Sequence, residues 1–254
     1  MLRRQGLRYH CVYEGLAFVR HHYILNYMSK RLTNFVKEEF YHIYNRGNSK
    51  QTIFHDKEDY ERFQDLLSIS NTVERIDMRV INKSKNISNH STFKESPLVA
   101  IGSYCIMSNH FHILITQLNE KGGISKFTHK LTTAYSMYYN KKYTHSGGLF
   151  EGKFKAKHIN NDRYLKYLFA YINLNPVKLI DLKWKESGLK NIDKTYKFLE
   201  TYKYSSYLDF LHFSKENNFR EESKILSLKE FPKYFPNSST FKKEIITWFE
   251  YTKF

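Results

Sequence analysis

A chain of 254 residues with 41% hydrophobic side chains holds enough apolar material for one large folded domain, or a domain with appendages, and too much for wholesale disorder. Its 41 Lys and Arg against 25 Asp and Glu leave a net charge of +16, interleaved with 21 Tyr and 20 Phe, a composition suited to a polyanion whose bases stack on rings. Two cysteines, Cys11 and Cys105, in no CxxC spacing exclude a disulfide framework and a zinc knuckle and fit a reducing, cytoplasmic setting, and no apolar stretch approaches the roughly 20 residues that span a membrane.

Residues 1–27 follow neither helical nor strand periodicity, and Met28 ahead of "SKRLTNF" offers an alternative start. The expected organisation is an N-terminal extension over 1–27, a catalytic domain over 28–210 and a helical C-terminal extension over 211–254. From Glu39, "EFYHIYNRG" alternates as a strand and runs into the turn Asn45-Arg46-Gly47-Asn48. Asp56 is placed to cap a helix that carries Tyr60, Phe63, Leu66 and Leu67 at helical spacing. "RIDMRVI" (75–81) reads as a strand and residues 82–97 as an exposed polar loop. "SYCIMSNHFHILI" (103–115) reads as one strand, with Tyr104, Ile106, His110, His112 and Leu114 on one face and Cys105, Met107, Phe111, Ile113 and Ile115 on the other.

After Gly122-Gly123 a helix over about 124–142 is expected to turn Ile124, Phe127, Leu131, Ala134 and Tyr138 inward. Gly147-Gly148 opens an extended basic-aromatic stretch, "LFEGKFKAKHI". Asn161-Asp162 begins a helix through Tyr164, Leu168 and Tyr171 that ends near Asn175, ahead of Pro176. Strands and helices mixed in this way give an α+β unit.

Two patterns carry chemistry. His110 and His112, two apart on a strand, point the same way and can clamp a divalent cation through neutral imidazoles, although a lone HxH is more often a hydrogen-bonded pair on a sheet face. Tyr171 and Asn175, four apart, share one side of a helix. A side-chain amide can complete a metal site through oxygen, and a tyrosine hydroxyl beside a metal can attack phosphorus. Read singly, Tyr171 is a core aromatic and Asn175 a helix stop.

Five blocks in order change that balance: "YHIYNRGNSKQTIFHDKEDYERF" (41–63), "YCIMSNHFHILI" (104–115), "GGLFEGKFK" (147–155), "YLKYLFAYINLNPVK" (164–178) and "YKYSSY" (202–207). Through them the chain resembles the single-tyrosine HUH transposases of the IS200/IS605 type, in particular the REP-associated tyrosine transposase-like branch. The resemblance implies an antiparallel sheet flanked by helices, with a ferredoxin-like, RRM-like core. It implies cleavage and rejoining of single-stranded DNA, probed as a hairpin, through a 5′-phosphotyrosine on Tyr171 and a free 3′-OH. It further implies a divalent cation on His110, His112 and Asn175, with Mg²⁺ or Mn²⁺ favoured by the hard oxygen donor and zinc as the alternative.

No P-loop signature is present, and rejoining from a covalent intermediate needs no nucleotide cofactor. His42 is a candidate near-site residue if the first strand neighbours the histidine strand. Arg46, Lys126, Lys130, Lys153, Lys155 and Lys157 are candidate phosphate contacts. The resemblance allows a homodimer in which subunits share sites, and it leaves open whether Tyr171 serves its own subunit's metal. Phe150 and Lys153 stand where the family commonly carries Trp and Arg, and Lys lacks the bidentate fork of Arg. Two other readings stay open: a catalytically inactive hairpin-binding protein on the same scaffold, and a metal hydrolase that activates water with Tyr171 as bystander.

Overall fold

The computed structural model describes residues 34–75, 96–119, 122–212 and 220–251. The first helices and strands follow the chain as β1 (Phe40–Arg46), α1 (Lys57–Ile69), β2 (Val99–Met107), β3 (His110–Gln117), α2 (Gly123–Lys142) and β4 (Lys155–Ile159). The four strands form one antiparallel sheet in the order β2-β3-β1-β4, the split βαββαβ arrangement of a ferredoxin-like core. Beyond it come α3 (Asp162–Leu174), α4 (Trp184–Ser187), α5 (Ile192–Leu199), α6 (Tyr207–His212) and α7 (Ser238–Tyr251). The protein is thus α+β, an antiparallel sheet covered by helices on both faces.

Local chemistry explains the helix starts. Asp56 Oδ1 accepts the Asp59 amide at 3.1 Å to cap α1, and Asn161 Oδ1 accepts the Tyr164 amide at 2.7 Å to cap α3. Gly122, at φ +70°, takes a left-handed conformation just before α2 that a side chain would strain. In α2 the residues Ile124, Phe127, Leu131 and Ala134 are buried as expected, while Tyr135 and Tyr139 are buried more deeply than Tyr138.

The segment 103–115 corrects the single-strand reading. It is a β-hairpin: β2 ends at Met107, Ser108-Asn109 make the turn, and β3 begins at His110. Cys105 pairs with His112 and Met107 with His110, so these four share a face, and Tyr104 and Ile106 belong to the opposite face with Phe111 and Ile113. Crossing the turn inverts the alternation assumed for residues 104–107.

The two faces pack different layers. Tyr104, Ile106, Phe111, Ile113 and Ile115 bury against Phe63, Leu67, Phe127, Leu131 and Tyr135 of α1 and α2. Cys105, Met107 and Leu114 bury against Leu165, Leu168, Phe169 and Ile172 of α3, together with Trp184, Tyr207 and Phe241. A short strip at 204–206 lies along the β2 edge, with Ile106 N donating to Tyr204 O at 2.9 Å and Ser206 N to Tyr104 O at 3.0 Å. Ser206 Oγ also bonds Asn173 Oδ1 at 2.9 Å, and Asn173 Nδ2 reaches Ser103 Oγ at 3.1 Å, which pins the C-terminal half of α3 to the sheet.

Residues 35–254 form one compact unit, and the boundary expected at 210/211 falls inside α6. The extension over 1–27, most of the strand expected at 75–81 and most of the loop at 82–97 lie outside the described residues. No helix among the described residues is long and apolar enough to cross a membrane.

Candidate active site

Register places the site. β1 pairs with β3 so that His42, Tyr44 and Arg46 stand opposite Leu114, His112 and His110, on the α3 side of the sheet. β4 continues the row, with Lys155 opposite Tyr44 and Lys157 opposite His42. The face that could have been apolar throughout is therefore polar at one end.

The two motif histidines are held by their inner nitrogens. His110 Nδ1 lies 2.6 Å from Asn109 Oδ1, an acceptor, so His110 donates from Nδ1 and keeps its lone pair on Nε2. His112 Nδ1 lies 2.9 Å from His42 Nε2; in the tautomer that donates from Nδ1, His112 also presents Nε2. The two rings sit 5.0 Å apart by centroid and nearly perpendicular, at 84°. His42 thus takes the near-site place expected for it, as the hydrogen-bond partner of a motif histidine.

Burial keeps all three imidazoles neutral. It lowers His42 to about 3, helped by the ammonium groups of Lys157 and Lys185. His110 falls to about 4 through burial and Lys178, against a smaller opposing effect of the Asn175 amide. His112, wholly enclosed, is lowered well below 6.5 by burial first and by His42 and His110 next. Neutral imidazole is the metal-ligating form.

Helix α3 delivers the other two residues. The Tyr171 ring lies 5.5 Å from His112 and 6.0 Å from His42, so one chain brings together both halves of the site. Asn175 caps the helix with α-region backbone and so stays in phase with Tyr171. Its carboxamide is 1% exposed and, although near enough to His110 and Tyr171 to act on both, neither Oδ1 nor Nδ2 makes a hydrogen bond of good geometry. A buried amide left unsatisfied costs about 1–3 kcal/mol, so this one is built to receive something. Among the described residues no group of three His, Cys, Asp or Glu is placed to hold a metal. Two imidazoles and that amide fit a divalent cation.

Sequence reading missed three neighbours. Tyr44 packs 4.9 Å from His42 and 5.8 Å from His112. Asn109 orients His110, and the signal that was available is its place next to the motif histidine in the chain. Lys185, on α4, donates from Nζ to Tyr171 Oη at 2.9 Å and lies 4.3 Å over the same ring. Burial raises the Tyr171 phenol above its usual 10, while the Asn175 amide acts the other way.

The candidate phosphate contacts divide. Lys155 and Lys157 are exposed on the site face, and Lys157 Nζ stands 4.4 Å over the Tyr164 ring. Tyr164, Tyr167 and Tyr171 then step along α3 at 5.9 Å intervals. Lys153 is exposed in the loop before β4. Arg46 is engaged, its guanidinium gripping both carboxylate oxygens of Glu151, one at 3.0 Å from Nη2. Lys126 and Lys130 ride on α2, in the layer on the opposite face, and Lys130 Nζ donates to the carbonyls of Thr72, at 2.6 Å, and Glu74.

A family model described as "Transposase IS200 like" matches residues 35–175, more than half of the chain, from just before β1 through Asn175. The chain belongs to the IS200-like transposases. The matched span of this transposase takes in His42, both motif histidines, Tyr171 and Asn175, and it stops short of Lys185. A solved structure described as a REP-associated tyrosine transposase bound to a REP hairpin is similar at 12% identity and a TM-score of 0.42, covering 77% of this chain and 90% of that one. No curated protein matches this transposase.

Proposed function

We propose that this IS200-like transposase cleaves and rejoins single-stranded DNA through a 5′-phosphotyrosine on Tyr171, on substrate strands that fold into hairpins. The observation that carries the reading is the unsatisfied Asn175 carboxamide, buried between Tyr171 and the paired imidazoles.

His110, His112 and Asn175 would hold a divalent cation, Mg²⁺ or Mn²⁺, which when bound polarises the scissile phosphate and offsets its growing charge. Asn109 and His42 fix the ring orientations of the two histidines, the supporting role that metal-site neighbours usually take. Lys155 and Lys157 meet the DNA backbone, and Tyr164 and Tyr167 offer ring faces to unpaired bases leading to Tyr171. Tyr171 Oη attacks phosphorus in line, and the 3′ oxygen departs as a free hydroxyl. Because the phosphotyrosine keeps the phosphodiester's energy, a second 3′-OH reseals the strand without a nucleotide.

The test is incubation with single strands from the flanks of the protein's own gene and Mn²⁺, resolved on a denaturing gel. Wild type gives a covalent protein–DNA band, and Tyr171→Phe gives none while binding the strand as tightly. Cleavage that persists in Tyr171→Phe would assign the site to activated water. Binding without cleavage in the wild type would leave an inactive hairpin-binding module.

A further inference from the structure

Lys185 is an odd lysine. It is half-buried, its hydrogen bond goes to a neutral phenol, and among the described residues it forms no ion pair. Burial alone disfavours its charge, since taking an ammonium from water without an anion is costly. The fold nevertheless holds it firmly. Lys185 follows Trp184, which is fully buried beneath the sheet, and Nζ lies 5.6 Å over the indole as well as 4.3 Å over the Tyr171 ring. The short link from α3 is braced by Asp181 N on Val177 O at 2.8 Å. The one carboxylate that favours its charge, that of Glu186, is its neighbour in sequence and makes no ion pair with it, so the ammonium is aimed at the phenol oxygen alone.

We propose that Lys185 is a catalytic residue whose ammonium stabilises negative charge on Tyr171 Oη while the bond from that oxygen to phosphorus forms or breaks. The assignment rests on the phosphotyrosine reading above. In cleavage the phenol releases its proton to solvent, the Oη–P bond forms, and the bond from phosphorus to the 3′ oxygen breaks as that oxygen takes up a proton. Rejoining runs the same bonds backward, and there Tyr171 is the leaving group. A fixed N–H aimed at Oη favours charge on that atom in both directions without reorganising. The donor points at the phenol oxygen, whereas the cations disposed along the strand path are Lys155 and Lys157.

Lys185→Met keeps the aliphatic stem over Trp184 and removes the donor. In single-turnover assays with a flank-derived oligonucleotide and Mn²⁺, it should slow cleavage and rejoining of a preformed adduct by about 100-fold each, the usual cost of losing one preorganised donor. DNA affinity should stay as in the wild type, and Lys185→Arg should recover part of the rate. A fluorinated tyrosine at position 171, a better leaving group, should shrink the Lys185→Met deficit in rejoining, which a merely structural defect would not allow. Thermal unfolding of Lys185→Met and Lys185→Gln checks that both fold. Rates within about twofold of wild type, a loss confined to DNA affinity, or a deficit blind to fluorination would each overturn the assignment. A wild type that forms no adduct overturns the phosphotyrosine reading and Lys185 with it.

Discussion

Two lysine–tyrosine clusters, one on each side of the sheet, differ in a single ingredient. Between α1 and α2, Lys142 Nζ reaches Asp56 at 2.8 Å, Glu58 at 3.0 Å and Asp59 at 2.8 Å, and the Tyr138 and Tyr143 hydroxyls donate to Asp59 at 2.9 and 2.7 Å. Between the sheet and α3, Lys185 donates to Tyr171 and, among the described residues, forms no ion pair, its sequence neighbour Glu186 favouring its charge only through space. The first cluster has its anions built in and ties two helices together. The second has no carboxylate in ion-pair contact, and on the proposal above a charged phenol oxygen would complete it. Direct carboxylate contact is thus what distinguishes Lys142 from Lys185.

The largest effect that tests the contrast is Asp59→Ala. The Asp59 side chain is 0% exposed, and removing one member of a buried charge cluster typically costs about 3–5 kcal/mol. Because Asp56 and Glu58 remain on Lys142, a loss of about 3 kcal/mol in urea unfolding is expected, with adduct formation unchanged where the variant is folded. A neutral Asp59→Ala would mean that this cluster is ornamental.

Acid should separate the two regions next. In the metal-free protein His42 and His110 bind protons only near 3 and 4, whereas the unfolded chain binds them near 6.5. The stability contributed by their neutral forms is complete above 6.5 and is lost as pH falls from 6.5 toward 4, where the unfolded state holds more protons. Asp59 is likewise held below its own reference of 3.8, by Lys142 against the effect of burial, so its contribution survives until pH falls below 3.8. Urea midpoints followed from neutral to acid pH should decline in those two windows. A flat curve between 6.5 and 4 would contradict the neutral histidine triplet.

The smallest expected effect concerns the outer lysines. Lys157→Ala should weaken single-strand binding at every sequence and lower the slope of log affinity against log salt by about 1. Lys126→Ala, on the opposite layer, should change neither.

The parts of this architecture visible in the chain were those with local causes. Asp56 and Asn161 mark helix starts because their oxygens satisfy amides three residues on, and α3 shows its faces because polar and apolar residues alternate at helical spacing. His110, His112, Tyr171 and Asn175 converge as their spacing and the family likeness together implied. The hairpin at 108–109 was hidden for a physical reason: Ser-Asn lacks the glycine of a tight turn, and β2 is buried on both faces, so it has no polar alternation to read. Lys185 was invisible because its meeting with Tyr171 follows from how Trp184 folds under the sheet, not from any spacing on one element. The Arg46–Glu151 pair was not legible because the two residues lie 105 apart in the chain.

The Ser103–Asn173–Ser206 bonds have a kinematic consequence for strand exchange. They clamp α3 two residues past Tyr171, so the backbone that on the proposed mechanism would carry the 5′ end is tied to the sheet. Whatever travel strand transfer requires must then come from rotation about the tyrosine's own side-chain bonds and from the incoming 3′ terminus. On the proposed mechanism the DNA ends would be shuttled past a stationary post.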